Sequence, residues 1–226
     1  MGALRSPKPC DAGLAFVAAH PDDEVLGMGG TIRKLTNQKN TVHLCVITEG
    51  ASAQYSDQKM IKIRKESCKK SAKILGIKKI EFLEFQDMTL DSIPQIEINK
   101  KIEKIIKKFD PDIVFTTSEN DLNKDHQKVF ESSLIVSRPY SSNVKKIYAY
   151  EIPSINKTDF SPNVYFDITK EFNKKIEAFK AYKSEIERFP HPRSVKYLES
   201  LAHIRGSQAG LEKAEGFRLI KSIETK

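Results

Sequence analysis

Short apolar runs alternate with longer amphipathic stretches along the first two thirds of the chain. Each short run has the length and the apolar content of a strand, and each longer stretch repeats its apolar residues at the spacing of a helix. Strands separated by helices predict an α/β protein with a mostly parallel sheet and helices on both faces. The predicted strands are residues 14–19, 41–48, 79–85, 112–117 and 145–151, and the predicted helices are residues 20–35, 58–75, 94–109 and 124–136.

The alternation loosens after Pro153. The pattern there predicts an extended segment at 163–168, helices at about 169–186 and 193–204, and an extended tail at 217–223. No shift in composition divides the chain, so we expect one domain over residues 1–226, with a flexible N-terminus at 1–12.

Composition narrows the class of protein. The 226 residues are 39% hydrophobic and 30% charged, which is enough to bury one core. The apolar runs are far shorter than the roughly 20 residues that cross a bilayer, and no secretory signal pattern opens the chain. Cys10, Cys45 and Cys68 are odd in number and show no C-x-x-C spacing, which indicates neither a disulfide framework nor a thiolate metal site. We therefore expect a cytoplasmic protein.

The formal net charge of +8 is compatible with nucleic acid, an anionic membrane face or an anionic small molecule as partner. The densest basic stretch, residues 100–108, alternates with isoleucines at helical spacing, which favours the wet face of an amphipathic helix over a nucleic-acid site. We expect a small-molecule substrate, with the charge favouring an anionic conjugate, and no nucleic-acid partner. Homo-oligomerisation is left open.

An unusual acidic turn, Ala19-His-Pro-Asp-Asp-Glu24, follows the first predicted strand. Pro21 restricts the backbone of the turn, so His20 and Asp23 can point to one place while Asp22 faces elsewhere. Active-site residues of open α/β sheets lie beyond the carboxyl ends of the strands. His126 follows the fourth predicted strand, so we expect it at the same edge of the sheet as the acidic turn.

Two histidines and one carboxylate form a ligand set typical of catalytic zinc, and they leave a position for water. His20, Asp23 and His126 are the predicted ligands, and Asp22 is the predicted general base of a hydrolase. The same ligands also suit Fe²⁺. The structural alternative is that the acidic residues cap the following helix, although capping accounts for neither histidine. We assign the glycines at 27, 29 and 30 to close helix packing, because they do not form the dinucleotide-binding pattern.

With these residues in place, the chain resembles the PIG-L/LmbE-like zinc N-deacetylases, whose signature A-H-P-D-D-E stands at 19–24. The resemblance extends over most of the chain and includes Arg64 and Glu66, Asp87, Asp125-His126, Asp167-Ile168-Thr169, Arg205-Gly206 and Ala214 to Phe217. It implies a Rossmann-like sheet, a zinc ion, and hydrolysis of the acetamide of an N-acetylglucosamine-type group.

When the family's residue roles are carried over by position, the resemblance implies that the metal ligands are His20, Asp23 and His126 and that the general base is Asp22. It also implies that Arg64 and Asp87 contact the substrate, although Arg64 on a charged helix could equally be solvated. Asp125 is expected to support the site as an acceptor for a neighbouring polar group, with helix capping as an equal alternative.

The chain departs from the family at one position. Several members carry a second histidine three residues before the ligand histidine, and here that residue is Asn123, which can donate to an oxyanion but cannot shuttle a proton. A bacterial branch with this form also carries H-P-R-S, which stands here at 191–194. We therefore expect His191 to be the general acid and Arg193 to contact the substrate or the oxyanion. The alternative is that His191 and Pro192 only interrupt the regular structure before a helix that is capped nearby.

Two rival functions remain at this point. One is a zinc amidase or esterase for another acyl group, and the other is a binder of nucleic acid or anionic surfaces with a vestigial metal site.

Overall fold

The structure is a computed structural model that describes residues 13–55, 57, 59–153 and 158–224. The expected flexible N-terminus and Cys10 lie outside the described residues.

The described chain forms seven strands and six α-helices. The strands are β1 (Gly13–Ala18), β2 (Thr41–Thr48), β3 (Lys79–Phe85), β4 (Ile113–Thr116), β5 (Lys146–Tyr150), β6 (Val164–Asp167) and β7 (Ala214–Ser222). The helices are α1 (Asp23–Asn37), α2 (Lys59–Leu75), α3 (Gln95–Phe109), α4 (Lys124–Val136), α5 (Phe172–Phe179) and α6 (Val195–Ala209).

All seven strands join one sheet in the order β3-β2-β1-β4-β5-β7-β6. Strands β1 to β5 pair in parallel, and β7 pairs antiparallel with both β5 and β6. The predicted mostly parallel α/β sheet is therefore confirmed. The chain order reverses between β1 and β4, which is the switch point where ligands bind in open sheets.

The two faces of the sheet carry separate cores. Along β1, Leu14, Phe16 and Ala18 face one core, and Ala15 and Val17 face the other. Helices α1, α2, α5 and α6 contribute to the first core, and α3 and α4 contribute to the second. Burial on both faces explains why the strand reads as an almost continuous apolar run.

Helix α1 lies unusually close to its neighbours. A Cβ atom at Gly27 would lie 2.5 Å from the Tyr150 ring and 2.9 Å from the Glu151 carbonyl oxygen. Any larger side chain would push the helix away from the end of β5. The packing role predicted for this glycine is confirmed.

A buried ion pair joins α1 to the C-terminal part of the fold. Lys175 Nζ lies 2.6 Å from Glu215 Oε1 and donates a 2.8 Å hydrogen bond to the Leu26 carbonyl. The Glu215 carboxylate accepts the backbone N–H groups of Gly30 and Thr31. The pair therefore satisfies backbone groups in the middle of α1 and ties that helix to α5 and β7.

Three predicted elements after Pro153 differ from the structure. The helix predicted to reach Ile186 ends at Phe179, because the following turns take three-residue spacing, such as Tyr182 N–H to the Phe179 carbonyl. The last helix continues to Ala209, where Gly210 adopts the left-handed conformation of a C-cap. The predicted tail is a nine-residue strand in the interior of the sheet.

The charge pattern of α3 is as expected. Its buried residues are Ile98, Asn99, Ile102, Ile105 and Ile106, and its lysines are exposed.

Cys45 and Cys68 are free and buried, and burial raises the pKa of the Cys45 thiol to about 12. Among the described residues, none of the helices combines the length and the apolar character that a membrane span requires.

Candidate metal centre and active site

Five residues of the candidate site follow the carboxyl ends of β1, β3 and β4. His20 and Asp23 come after β1, Asp87 comes after β3, and Asp121 and His126 come after β4. Because these parallel strands are neighbours or near neighbours, their ends open on the same edge of the sheet.

The turn after β1 is tightly constrained. Asp22 has φ 117°, a left-handed conformation that is uncommon for a residue other than glycine. Gly50, at the end of β2, lies so close that a Cβ atom there would be 2.4 Å from Pro21 Cδ. The backbone N–H of His20 donates a 2.8 Å hydrogen bond to Asp23 Oδ2. These contacts fix the direction of the side chains on the turn.

Three ligand atoms from His20, Asp23 and His126 lie within one small triangle. His20 Nδ1 is 3.1 Å from His126 Nε2 and 3.5 Å from Asp23 Oδ2, and the remaining edge is also 3.5 Å. Bonds of about 2.0–2.1 Å to a tetrahedral zinc ion would place its ligand atoms roughly 3.3 Å apart. The predicted triad therefore fits a zinc ion on this geometry, and it can hold a divalent metal.

The other nitrogen of each imidazole faces carboxylates. His126 Nδ1 donates to Asp121 Oδ2 at 2.6 Å, while His20 Nε2 lies 3.2 Å from both Asp125 Oδ2 and Asp87 Oδ1. Metal-binding histidines usually donate their second N–H to such an acceptor, which fixes the ring and its tautomer. His20, Asp87 and Asp125 also form a possible ligand group by distance. We assign them instead to orienting His20, since its Nδ1 belongs to the triangle.

The electrostatics of the cluster favour positive charge. Burial works against protonation of His126, but Asp23 and Asp121 outweigh it and raise the pKa to about 9. Burial likewise opposes protonation of His20, and its carboxylate neighbours raise the pKa well above the usual range. Two protonated imidazoles cannot point N–H groups at each other across 3.1 Å. A metal ion shared by their lone pairs supplies the positive charge without that conflict.

Asp22 is a buried carboxylate, and neither of its oxygens accepts a hydrogen bond from the described part of the chain. Arg64 Nη2 and Arg193 Nη2 lie 3.3 and 3.4 Å from Asp22 Oδ2, as ion pairs without hydrogen-bond geometry. Burial raises the pKa of Asp22, against the opposing charges of Arg193 and Arg64. Asp22 can therefore accept a proton from a group that enters the site.

The capping alternative is wrong for the side chains of Asp22 and Asp125, whereas the Glu24 carboxylate does accept the Asp22 backbone N–H at 3.0 Å. Asp22 occupies the N-cap position of α1, but its side chain makes no capping hydrogen bond. At α4 the cap is Asn123, whose Oδ1 accepts the Asp125 N–H at 2.8 Å. Asp125 accepts the N–H groups of Met88 and Leu90, so it joins the loop after β3 to the histidine cluster.

The two predicted arginines converge from different parts of the chain. Arg64 is only 2% exposed, so its alternative as a solvated surface residue is wrong. Its Nη2 donates to the Pro21 carbonyl at 2.6 Å. Arg193 reaches the same carboxylate from the turn before α6. Their predicted contact with substrate stays a prediction.

His191 is exposed, and its Nδ1 accepts the Arg193 backbone N–H at 3.1 Å. Ser194 caps α6 by accepting the Tyr197 N–H. The alternative of an interrupted chain before a capped helix therefore explains Ser194. It does not explain why the Arg193 side chain points inwards to Asp22. The role of His191 as general acid, that of Asn123 as oxyanion donor and that of Asp87 as substrate contact stay predictions.

Sequence reasoning missed Asp121 and Glu185. Asp121 stands five residues before His126, in an Asn-Asp-Leu-Asn turn whose acidic residue could have been noted as a partner for that imidazole. Glu185 lies in a predicted helix and in no motif, yet its Oε2 lies 3.2 Å from Arg64 Nη1 and 3.0 Å from Arg193 Nη1. Only the folded structure brings these groups together.

Comparisons with known proteins place the chain in one family. Residues 15–136 match the family model described as PIG-L, GlcNAc-PI de-N-acetylase. The chain is 29% identical to diacetylchitobiose deacetylase of Thermococcus kodakarensis, over 92% of this chain and 82% of that protein. It is 31% identical to the probable N-acetyl-alpha-D-glucosaminyl L-malate deacetylase 2 of Bacillus cereus, over 76% of this chain and 82% of that protein.

A solved structure agrees in fold over nearly the whole chain. The N,N'-diacetylchitobiose deacetylase of Pyrococcus horikoshii superposes with a TM-score of 0.79 at 26% identity and covers 93% of this chain and 85% of its own.

Proposed function

Since this chain belongs to the PIG-L family, we propose that it is a zinc-dependent N-deacetylase acting on an N-acetylated amino sugar or sugar conjugate. It would release acetate and a free amine. The observation that carries the proposal is the triangle of His20, Asp23 and His126 ligand atoms, held next to a buried carboxylate that has no hydrogen bond. Two relatives that match most of the chain are named as a diacetylchitobiose deacetylase and a probable N-acetylglucosaminyl malate deacetylase, which supports the substrate class.

The metal would be held by His20 Nδ1, Asp23 Oδ2 and His126 Nε2. A zinc ion there supplies a Lewis acid that makes water more acidic and polarises the acetamide carbonyl. Asp121 and Asp125 keep the two imidazoles oriented through their second nitrogens. The buried surroundings strengthen each of these interactions.

Asp22 acts as the general base in this proposal. One of its carboxylate oxygens accepts the proton of the attacking water, and within the described ranges no side chain or backbone group donates a competing hydrogen bond to either oxygen. The nearby arginines keep the carboxylate from being an isolated buried charge. The Nδ2 group of Asn123 would donate to the oxyanion, because its Oδ1 is already used as the helix cap.

His191 would return a proton to the leaving amine. It stands in the turn that carries Arg193 into the site, which supports a place near the entrance. A His191→Ala enzyme should lose turnover while it keeps its metal. Unchanged turnover in that variant would remove His191 from the mechanism.

The test combines metal analysis with acetate release. Purified protein should bind one equivalent of zinc in preference to Fe²⁺. It should release acetate from at least one member of a panel of N-acetylglucosamine, a diacetylated disaccharide, N-acetylglucosaminyl malate, and N-acetylated nucleotide-linked and lipid-linked sugars. Release of a larger acid in place of acetate would favour the amidase or esterase alternative. Zinc-loaded protein that hydrolyses none of them would overturn the proposal.

A further inference from the structure

Glu185 lies at the centre of the network that surrounds Asp22. It is 2% exposed, and its Oε1 accepts hydrogen bonds from Tyr55 Oη at 3.2 Å and Ser184 Oγ at 2.8 Å. Its Oε2 accepts a hydrogen bond from Arg193 Nη1 at 3.0 Å and lies 3.2 Å from Arg64 Nη1. One carboxylate therefore holds both arginines, from α2 and from the turn before α6.

Arginine beside a carboxylate usually forms short, often paired hydrogen bonds. Asp22 has two arginines within 3.4 Å and accepts a hydrogen bond from neither. Instead, Glu185 lies on the Nη1 side of both arginines, and the Pro21 carbonyl accepts a hydrogen bond from Arg64 Nη2. The Asp22 oxygens thus have positive charge nearby, yet their lone pairs are open.

We propose that Glu185 is a positioning residue of the active site, which holds Arg64 and Arg193 in an orientation that leaves Asp22 free to accept a proton. This inference rests on the proposed function of Asp22 as general base. Without the Glu185 charge, the guanidinium groups turn towards the remaining carboxylate and occupy its oxygens. The reaction then slows, while the metal triangle, which Glu185 does not contact among the described residues, stays intact.

Glu185→Gln tests this directly. We expect kcat to fall about tenfold or more, as for partial loss of a general base. KM should stay within about threefold, and the zinc content should not change. Glu187→Gln is the matched control, because Glu187 is exposed two residues along the same turn, and it should retain wild-type kcat. Equal kcat in wild type and Glu185→Gln would overturn the inference, as would loss of zinc.

A double-mutant cycle separates positioning from general support of the fold. If Glu185 acts through Arg193, the Glu185→Gln change should cost less in an Arg193→Gln background than in wild type. Fully multiplicative losses in kcat would show that Glu185 works independently of Arg193, and would overturn the inference. If Glu185→Gln does not fold, Glu185→Asp, which keeps the charge on a shorter side chain, replaces it in the cycle.

Amide hydrogen exchange provides a measurement that needs no substrate. The Glu187 N–H donates to the Arg193 carbonyl and the His191 N–H donates to the Arg188 carbonyl, so the turn has protected amides to follow. Residues 187–194 should exchange faster in Glu185→Gln than in wild type or Glu187→Gln. Unchanged exchange would overturn the anchoring by Glu185. Absence of acetate release from zinc-loaded wild type would instead overturn the proposed function, and the exchange result would still decide whether Glu185 anchors the turn.

Discussion

At the scale of single residues, the division of labour between adjacent aspartates is the first feature to test. Asp23 points its Oδ2 into the ligand triangle. Asp22 stays out of it, and its two oxygens accept no hydrogen bond from any residue that the structure describes. Asp22→Asn should keep the bound zinc and lower kcat by roughly 10²- to 10⁴-fold, because asparagine cannot accept the proton.

Asparagine also tolerates the left-handed backbone at position 22, so the turn should survive the substitution. Zinc stoichiometry and steady-state acetate release measured on one preparation would check both expectations. A variant with full activity would exclude Asp22 as the base.

Asp121 provides a second prediction at this scale. It accepts the His126 Nδ1 proton at 2.6 Å, so it sets the tautomer that leaves Nε2 free for a metal. Asp121→Asn should weaken zinc binding about 10- to 100-fold, as for other partners of ligand histidines. Competition with a chromophoric chelator would measure this affinity. Asp91→Asn, at an exposed carboxylate on the turn before α3, is the control and should bind zinc like wild type.

At the scale of secondary-structure elements, the buried pair Lys175 and Glu215 connects α1 to α5 and β7. Removing one partner of a buried pair leaves the other charge uncompensated. Lys175→Met should therefore lower the free energy of unfolding by about 3–5 kcal/mol. Urea denaturation with zinc present would measure the loss.

Lys174→Met is the matched substitution on the same helix. Lys174 pairs with Glu177 at an exposed position, and such pairs contribute about 1 kcal/mol or less. Similar losses for the two variants would mean that the buried pair has no special role in holding α1.

At the scale of the whole molecule, the metal centre joins loops that are distant in sequence. Because zinc would bind the folded chain and not the unfolded one, saturation at about 1,000 times Kd should add about 4 kcal/mol of stability. For a domain of this size that corresponds to a rise in Tm of roughly 10 °C. Thermal denaturation with zinc and with a chelator would measure it. His126→Ala should lose most of the rise, and an undiminished rise in that variant would place the zinc elsewhere.

The local pattern of the sequence predicted most of the fold. Helices α1 to α4 and strands β1 to β5 were expected close to their observed bounds, because the strands are short apolar runs and the helices repeat apolar residues at helical spacing. Elements after Pro153 were predicted less well. The pattern predicted β7 only as an extended tail, because its place inside the sheet depends on pairing with β5 and β6, which are distant in sequence.

What the sequence determined by itself is the chemistry at two strand ends, the H-P-D-D-E turn and the Asp125-His126 pair. It also determined the parallel sheet that opens both ends on one edge. Tertiary structure alone decided how that chemistry is supported. It paired Asp121 with His126, decided between the two expected roles of Asp125 in favour of a contact with His20, and set Glu185 between two arginines. Motifs and periodicity record neighbours along the chain, whereas these contacts depend on distances between segments that meet only when both cores are packed.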